Sequence, residues 1–364
     1  MSGRKQLLGT ALLLALMGVT GFFLLRDQPI SSLLGVLRQV NGGYVLLGLA
    51  LMLVFVGCEA MQTRLILGRL GYHNPYRKCL GYSFVGFYVS SITPSATGGQ
   101  PAQVYCMSRD GVQPAHGAPN MLLMAVCYQV ALLGYALTAW LALPGLRHAL
   151  GKGMGVLVLY GGGVMSALTV GMLSFLFLPG LARRAAVGVL NLLGRMGLKG
   201  LRERGLPRLE KQMAEYAAGA ACLKQNPGLF PALLGLSALQ LTALFSVPFV
   251  VYRAFGLGSY GLAVFLGTQA VVTLAVSALP LPGAVGPAEG GFVTAFTPLF
   301  GAALATPAML VSRGISFYAF LLVSGCVTLA VHLRGRAPFL RAPAVRDPAA
   351  AGKPSFARAR SVVQ

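Results

Sequence analysis

The sequence predicts an all-α polytopic membrane protein, on the evidence of its composition and its long apolar runs. Of the 364 residues, 56% are hydrophobic and only 10% are charged, and the mean hydropathy is +0.72. A soluble domain of this size needs a charged surface, whereas a membrane-spanning helix needs about 20 consecutive apolar residues. Runs of roughly that length lie at 7–25, 44–66, 119–143, 154–179, 228–252 and 305–333.

The first apolar run, 7–25, follows Arg4 and Lys5, as in a secretory signal peptide. The run is long for the core of a signal peptide, and no A-x-A cleavage site precedes Arg26. We therefore interpret it as an uncleaved membrane helix.

The distribution of basic residues predicts the topology, because Lys and Arg gather on the cytoplasmic side of membrane proteins. The formal net charge is +21, and the basic residues concentrate at the N-terminus, at 64–78, at 180–226 and from 334 onward. All four segments lie on one side only if 79–108 enters and leaves the membrane from the cytoplasm. The same reasoning makes 260–303 a hairpin that enters from outside. The prediction is six full spans and two re-entrant hairpins in a cell membrane, with both termini cytoplasmic.

The two predicted hairpins contain similar broken segments, "SSITPSATGGQPAQV" (90–104) and "SALPLPGAVGPAEGGF" (277–292). Each ends an apolar helix, passes through Pro and Gly to a polar residue, Gln100 or Glu289, and resumes an apolar pattern. Chance similarity of Pro- and Gly-rich segments is one explanation. The other is an inverted repeat, since paired interruptions in two halves are typical of such transporters.

Broken backbone at membrane depth is tolerated only where protein or a water-filled cavity covers it. We therefore expect a polar cavity between the halves, in which freed N–H groups at the starts of the resumed helices bind an anion. The residues expected to shape this backbone are Pro94, Gly98, Gly99, Pro282, Gly283 and Gly286.

Charged residues inside the apolar runs are few, and they are the candidates for substrate binding. Each costs about 2.5–3.5 kcal/mol at the centre of a membrane helix, so such residues face a cavity or pair with each other. Arg313 is the candidate phosphate ligand, with Glu289 positioning it or binding a cationic group; the alternative is an ion pair that only locks two helices together. Glu59 is a cavity residue or a helix-end group. Arg109 meets headgroups at the cytoplasmic entrance, or is an ordinary positive-inside charge.

Motifs for catalysis or metal binding are not apparent in the sequence. The Cys and His residues are dispersed without metal-ligand spacing, and neither a GxxxxGK[ST] loop nor a G-x-S-x-G elbow is present. We therefore predict no catalytic residue, no metal and no cofactor.

Two segments resemble the membrane part of the lysylphosphatidylglycerol synthase/flippase family, which includes the multiple peptide resistance factors. They are "ITPSATGGQPAQVYCMSRDGV" (92–112) and the region from "LPLPGAVGPAEGGF" to "LVSRGISFY" (279–318). The resemblance covers about 10–335. In the first segment Gln100 stands where relatives carry a carboxylate. The second is the more specific, because its residues follow the family's order: Pro282, Gly283, Gly286, Glu289, Gly301, Arg313 and Tyr318.

The resemblance implies a membrane domain with eight helical elements that moves an aminoacylated or related phospholipid between leaflets. In full-length members a large soluble C-terminal domain transfers the amino acid from charged tRNA. Here 1–335 is expected to form one transmembrane domain and 336–364 a disordered basic tail, which leaves no room for that catalytic domain.

The basic stretch 180–226 predicts amphipathic helices on the inner leaflet. Attraction to anionic lipid of about 1 kcal/mol per basic residue would let it capture lipid or dock a separate synthase; the alternative is a plain cytoplasmic loop. A homo-oligomer is another candidate assembly, and no nucleic-acid partner is expected.

The leading functional prediction is a translocase for aminoacylated or anionic phospholipid such as lysylphosphatidylglycerol. The alternatives are a family member acting in lysyl-lipid synthesis with a partner, and a secondary transporter of a small solute. A purely structural scaffold fits less well, because buried charges are costly for a passive role.

Overall fold

The computed structural model describes residues 40–93, 96–143, 151–177, 225–277, 279 and 281–334, together with a few single positions. Regular secondary structure in these ranges is helical throughout, as predicted. Several sequence predictions fall outside the described residues, namely the span 7–25, Pro94, most of the basic stretch 180–226 and the tail 336–364.

Eleven α-helices, a 3₁₀ turn and a π-helix make up the regular structure of the described residues. In order they are α1 Gly42–Arg69, α2 Tyr76–Ser91, α3 Gly99–Arg109, α4 Pro114–Ala142, α5 Gly151–Phe177, α6 Leu229–Phe245, α7 Val247–Ala254, α8 Leu262–Ser277, a 3₁₀ turn Pro282–Ala284, α9 Pro287–Phe300, α10 Ala302–Arg313, a π-helix Gly314–Ala319 and α11 Phe320–Arg334.

Within the described part of the chain, five helical segments are long and apolar enough to cross a membrane. They coincide with five of the predicted spans and lie at Gly42–Arg69, His116–Ala142, Gly155–Ser174, Leu229–Ala254 and Ala302–His332. Together with the shorter apolar helices they confirm the class of an all-α polytopic membrane protein. Local chemistry sets their ends: the Asn41 side chain accepts a hydrogen bond from the Gly43 N–H before α1, and Pro114 occupies the first turn of α4.

The predicted hairpins correspond to two pairs of short helices, α2–α3 and α8–α9, whose members pack on each other. The longer members, α2 and α8, have 16 residues each. At about 1.5 Å per residue they reach about 24 Å, less than the roughly 30 Å of a bilayer core. These lengths suit helices that enter the membrane and turn back.

Both hairpins break the chain at an alanine in the left-handed region of the backbone. Ala96 and Ala284 adopt left-handed φ values of 53° and 50°, which cost an L-residue roughly 1–2 kcal/mol. Each alanine precedes by two residues the glycine that caps the resumed helix, Gly98 or Gly286. The glycines themselves differ, with φ of −84° at Gly98 and 96° at Gly286, so the similarity is limited to the alanines. The shared left-handed alanine favours the inverted-repeat interpretation over chance similarity.

Aligning Ala96 with Ala284 shifts the two breaks by one residue relative to the alignment that paired Gln100 with Glu289. Gln100 aligns with Ala288, and Glu289 aligns with Pro101, when the two alanines are superposed in the register. Gln100 and Glu289 are therefore not equivalent positions of the two breaks.

The second hairpin is anchored by a ladder of aromatic rings. Phe292, Phe296 and Phe300 recur every four residues on α9, so they share one face, and the first two rings stack with centroids 4.3 Å apart. Phe265 of α8 and Tyr252 of α7 complete the cluster, with their centroids 4.8 Å apart. The ladder fixes α9, and with it the start of that helix, against the core.

A buried polar contact joins α1 to α6. The Gln62 side-chain amide donates to Gln240 Oε1 at 3.0 Å, and the Ser237 hydroxyl donates to Gln62 Oε1 at 3.3 Å. Hydrogen bonds of this kind between membrane helices contribute about 0.6 kcal/mol on average. They hold α1, which carries Glu59, in a defined rotation.

Candidate functional site

Glu289 lies at the start of α9, where the helix resumes after the second break. Its Oε2 accepts a hydrogen bond from the Gly286 N–H at 2.6 Å, so it satisfies one of the unpaired donors of the helix N-terminus. Its Oε1 accepts from Arg313 Nε at 2.8 Å. The side chain is only 2% exposed, and both the helix dipole and the guanidinium stabilise its negative charge.

Arg313 ends α10 and reaches the same break. Its Nη2 donates to the Gly283 carbonyl oxygen at 3.1 Å, and its guanidinium carbon lies 4.4 Å from the centre of the Phe317 ring. Tyr318 lies on the same side, at 6.0 Å. The two predicted charges therefore pair with each other and also bind the broken backbone between them.

A π-helix follows Arg313 directly, over Gly314–Ala319. In an α-helix only Phe317, four residues on, would share its face closely. The wider π turn also brings Tyr318 towards the guanidinium. π turns are rare and occur frequently at functional sites, and nothing in our reading of the sequence predicted this one.

Gly283 allows the break to pack closely on this helix. Its φ is +59°, and a Cβ placed there would lie 2.4 Å from Cζ of Phe317. Only glycine fits both the left-handed backbone and the ring beside it.

A central cavity of about 340 Å³ lies between the two halves. Ala96 of the first break and Gly283 and Ala284 of the second break line it, with contributions from α1, α2, α4, α6, α7, α8, α9 and α10. The cavity expected from the broken segments is therefore present, with a mixed polar and apolar lining. Among the described lining residues, Arg313 is the charged one.

Hydroxyl groups in the lining face the cavity mainly as acceptors. Ser277 donates to the Thr273 carbonyl at 2.5 Å, Ser91 to the Phe87 carbonyl at 2.8 Å and Ser316 to the Ser312 carbonyl at 2.8 Å. Because each proton is committed to the residue's own helix, the oxygen lone pairs remain for a ligand. The cavity thus combines a cationic donor with neutral acceptors.

The other predicted site residues lie apart from the cavity lining. Gln100 is exposed in the first turn of α3, and Arg109 is exposed at its end. Asp110, next to Arg109, forms a salt bridge with Lys78 at 3.5 Å and accepts from the Tyr82 hydroxyl at 2.5 Å.

Glu59 lies in the interior of α1 and accepts a hydrogen bond from Gln103 Nε2 at 2.8 Å. It therefore has a specific partner across the interface with α3, unlike a side chain that reaches outward from a helix end. Sequence reasoning missed Gln103, because a neutral amide on a short helix carries no pattern that marks it.

Paired short hairpins around one cavity, with a buried ion pair at one break, define a polytopic helical membrane protein of the broken-helix type. Comparison with known families agrees with this class. The chain belongs to the family described as "Lysylphosphatidylglycerol synthase TM region", whose model matches residues 6–324. It is also similar to a UPF0104 membrane protein of Archaeoglobus fulgidus, with 23% identity over 263 residues that cover 70% of this chain and 76% of the relative. The resemblance stated from the two broken segments is confirmed.

Proposed function

We propose that this chain translocates a phospholipid with an anionic or aminoacylated headgroup, such as lysylphosphatidylglycerol, between the leaflets of the cell membrane. The observation that carries the proposal is the cavity that both breaks line, with Arg313 as the charged residue of its described lining. A volume of about 340 Å³ is at the lower end for small-molecule sites. It suits a headgroup, while the acyl chains stay in the bilayer.

Arg313 supplies the phosphate site in this mechanism. Glu289 holds its Nε, Gly283 holds its Nη2, and the cavity side of the guanidinium presents the remaining N–H donors to the ligand. The acceptor oxygens of Ser277, Ser91 and Ser316 suit the hydroxyl or ammonium groups of a headgroup. Rocking of the two halves about the breaks would then alternate access, as in transporters with inverted repeats.

The decisive experiment measures leaflet exchange of labelled phosphatidylglycerol and its lysyl derivative in liposomes that contain the purified chain. Wild type is compared with Arg313→Met, with the double variant Glu289→Gln/Arg313→Met, and with Arg253→Met, an exposed arginine at the end of α7. The double variant removes the ligand donor without leaving a buried charge unpaired, so it separates binding from stability.

We expect exchange in wild type and in Arg253→Met, and a loss of about 10- to 100-fold in the double variant. That range corresponds to the roughly 1.5–3 kcal/mol of hydrogen bonds to a charged group. A folded double variant that exchanges lipid at the wild-type rate would mean that the ion pair only locks the helices.

The small volume of the cavity also favours a second candidate, a secondary transporter of a small solute. Folded wild-type protein that exchanges neither lipid, but takes up a labelled organic phosphate or amino acid, would favour it. A role in lysyl-lipid synthesis with a partner, which the family description suggests, would instead appear as incorporation of labelled lysine into lipid when charged tRNA and a membrane extract are supplied.

A further inference from the structure

A second intramembrane carboxylate, Glu59, is held in a different way from Glu289. It lies ten residues before the end of α1 at Arg69, about 15 Å along the helix. Its Oε1 accepts from Gln103 Nε2 at 2.8 Å. In the part of the chain that the structure describes, no Lys, Arg or His forms a salt bridge with it. A carboxylate without a cation at this depth is costly while it is ionised.

Gln103 is itself buried, with 5% of its surface exposed. Its Nε2 serves Glu59, whereas its Oε1 is buried and has no hydrogen-bond partner in the structure. Gly86 of α2 lies against the same amide, since a Cβ on Gly86 would come within 2.0 Å of Nε2. An unsatisfied buried acceptor usually has a functional or structural reason.

The two unusual groups complement each other if Glu59 binds a proton. In the ionised state the amide N–H donates to the carboxylate, as observed. After a proton from water adds to the carboxylate, the neutral carboxyl group has an O–H to donate, and Gln103 Oε1 accepts it once the amide turns over about its last torsion. Each protonation state then has one hydrogen bond across the interface, and proton uptake removes the unpaired charge.

Among the described residues, Glu59 has a hydrogen bond to Gln103 but no salt bridge to a basic side chain that would compete for this role. On the described part of α4, Tyr128 is a titratable group close enough to interact electrostatically with Glu59. From α2 the Tyr76 hydroxyl donates to the Gly57 carbonyl, and on α1 itself Arg64 is exposed. From α6, Gln240 is bonded to Gln62, one turn further along α1.

The site is connected to the central cavity and to the first break. Tyr128 lines the cavity, as does Phe55, one turn before Glu59 on α1. Gln103 belongs to α3, which starts at Gly99, directly after the first break. A change at the Gln103 amide therefore acts on the short helix whose beginning borders the cavity.

We propose that Glu59 and Gln103 form a proton-binding site that couples proton uptake to movement of the first hairpin. The coupling rests on the proposed transport function, while the proton-binding site can be tested without it. In this proposal a proton gradient supplies the energy for transport.

Infrared difference spectroscopy of the reconstituted full chain tests the site directly. A pH titration should show the C=O band of a protonated carboxylic acid in wild type. The control variant Tyr105→Leu, which changes an exposed residue on α3, the helix of Gln103, should show the same band. The component of this band that Glu59 contributes should be absent in Glu59→Gln, whereas the other carboxyl groups of the chain keep theirs. In Gln103→Met the Glu59 component should remain but change frequency, because the carboxyl group loses its partner. A band that is the same in wild type and Glu59→Gln would overturn the proposal.

Leaflet exchange under an imposed pH gradient tests the coupling. Wild type and Tyr105→Leu should exchange lipid several-fold faster with the gradient than without it, and Glu59→Gln should not respond. Exchange in wild type that ignores the gradient would refute the coupling even if the carboxyl band is present. Absence of exchange under every condition would count against the translocase, and the infrared result would still decide whether Glu59 binds a proton. If Glu59→Gln does not fold, the change in C=O frequency expected in Gln103→Met tests the site instead, because that variant retains Glu59.

Discussion

The two hairpins each break at a left-handed alanine but satisfy the exposed backbone groups with different chemistry. At the first break the Gly98 N–H donates to Thr93 Oγ1 at 3.1 Å, and the Ser90 hydroxyl donates to the Ala96 carbonyl at 3.4 Å. At the second break the equivalent N–H, that of Gly286, donates to a carboxylate at 2.6 Å. One break is held by neutral hydroxyls and the other by an ion pair.

This difference assigns distinct roles to the two hairpins. Hydrogen bonds to charged groups are roughly twice as strong as neutral ones, so the Glu289–Arg313 pair holds the second break more firmly. The aromatic ladder on α9 adds to that rigidity. The first break lacks such a charge, and its helix α3 is tied to Glu59 through Gln103. We infer that the second hairpin presents the ligand site and that the first is the element that moves.

Removing one member of the ion pair should have the largest effect on stability. Arg313→Met leaves Glu289 buried without its cation, and breaking a buried pair in this way costs about 3–5 kcal/mol. The double variant Glu289→Gln/Arg313→Met should regain most of that loss. Unfolding free energies in mixed micelles measure both, and equal losses in the single and double variants would contradict the account.

Gly283→Ala should come next, because it combines a left-handed backbone with a collision against Phe317. The backbone alone costs roughly 1–2 kcal/mol, and the collision adds to it. Gly290→Ala is the matched control, since a Cβ there meets nothing within 4 Å and its helical position favours alanine. The companion change Phe317→Leu should relieve part of the loss. Full tolerance of Gly283→Ala in thermal unfolding would show that the break repacks freely.

Thr93→Val tests the neutral hydrogen bond at the first break. It removes the acceptor of the partly buried Gly98 N–H with little change in shape, and a donor left without a partner costs at most about 1–3 kcal/mol. Thr294→Val is a suitable control, because Thr294 is exposed and bonds only to the Gly290 carbonyl of its own helix. Comparison of melting curves decides the point. A loss as large as that of Arg313→Met would remove the distinction between the two breaks.

The smallest effect is expected from Ala96→Gly and Ala284→Gly. Glycine relieves the left-handed strain, but it loses about 0.5–1 kcal/mol more conformational entropy on folding. The net gain should therefore be about 1 kcal/mol or less in each. If the breaks are true repeats, both changes should stabilise to a similar extent. Opposite signs in the same unfolding assay would contradict the equivalence of the two alanines.

The sequence was sufficient for the class of protein and for the ion pair. Helices of about 20 apolar residues are visible as runs, since a bilayer demands that length whatever the packing. Glu289 and Arg313 stood out because a charge inside such a run is expensive. The Pro and Gly clusters marked both breaks for a similar reason, since they interrupt helical hydrogen bonding.

The tertiary structure decided which side chains meet. Gln100 was chosen from the linear similarity of the two breaks, yet it is exposed, and it is Gln103, one turn further on, that reaches Glu59. The π turn that brings Phe317 and Tyr318 to Arg313 left no sequence pattern that we recognised. Length and hydrophobicity are properties of each segment alone, so the sequence determined them. The partner of a neutral amide and the rotation of a helix depend on packing between distant segments, so only the tertiary structure determined those.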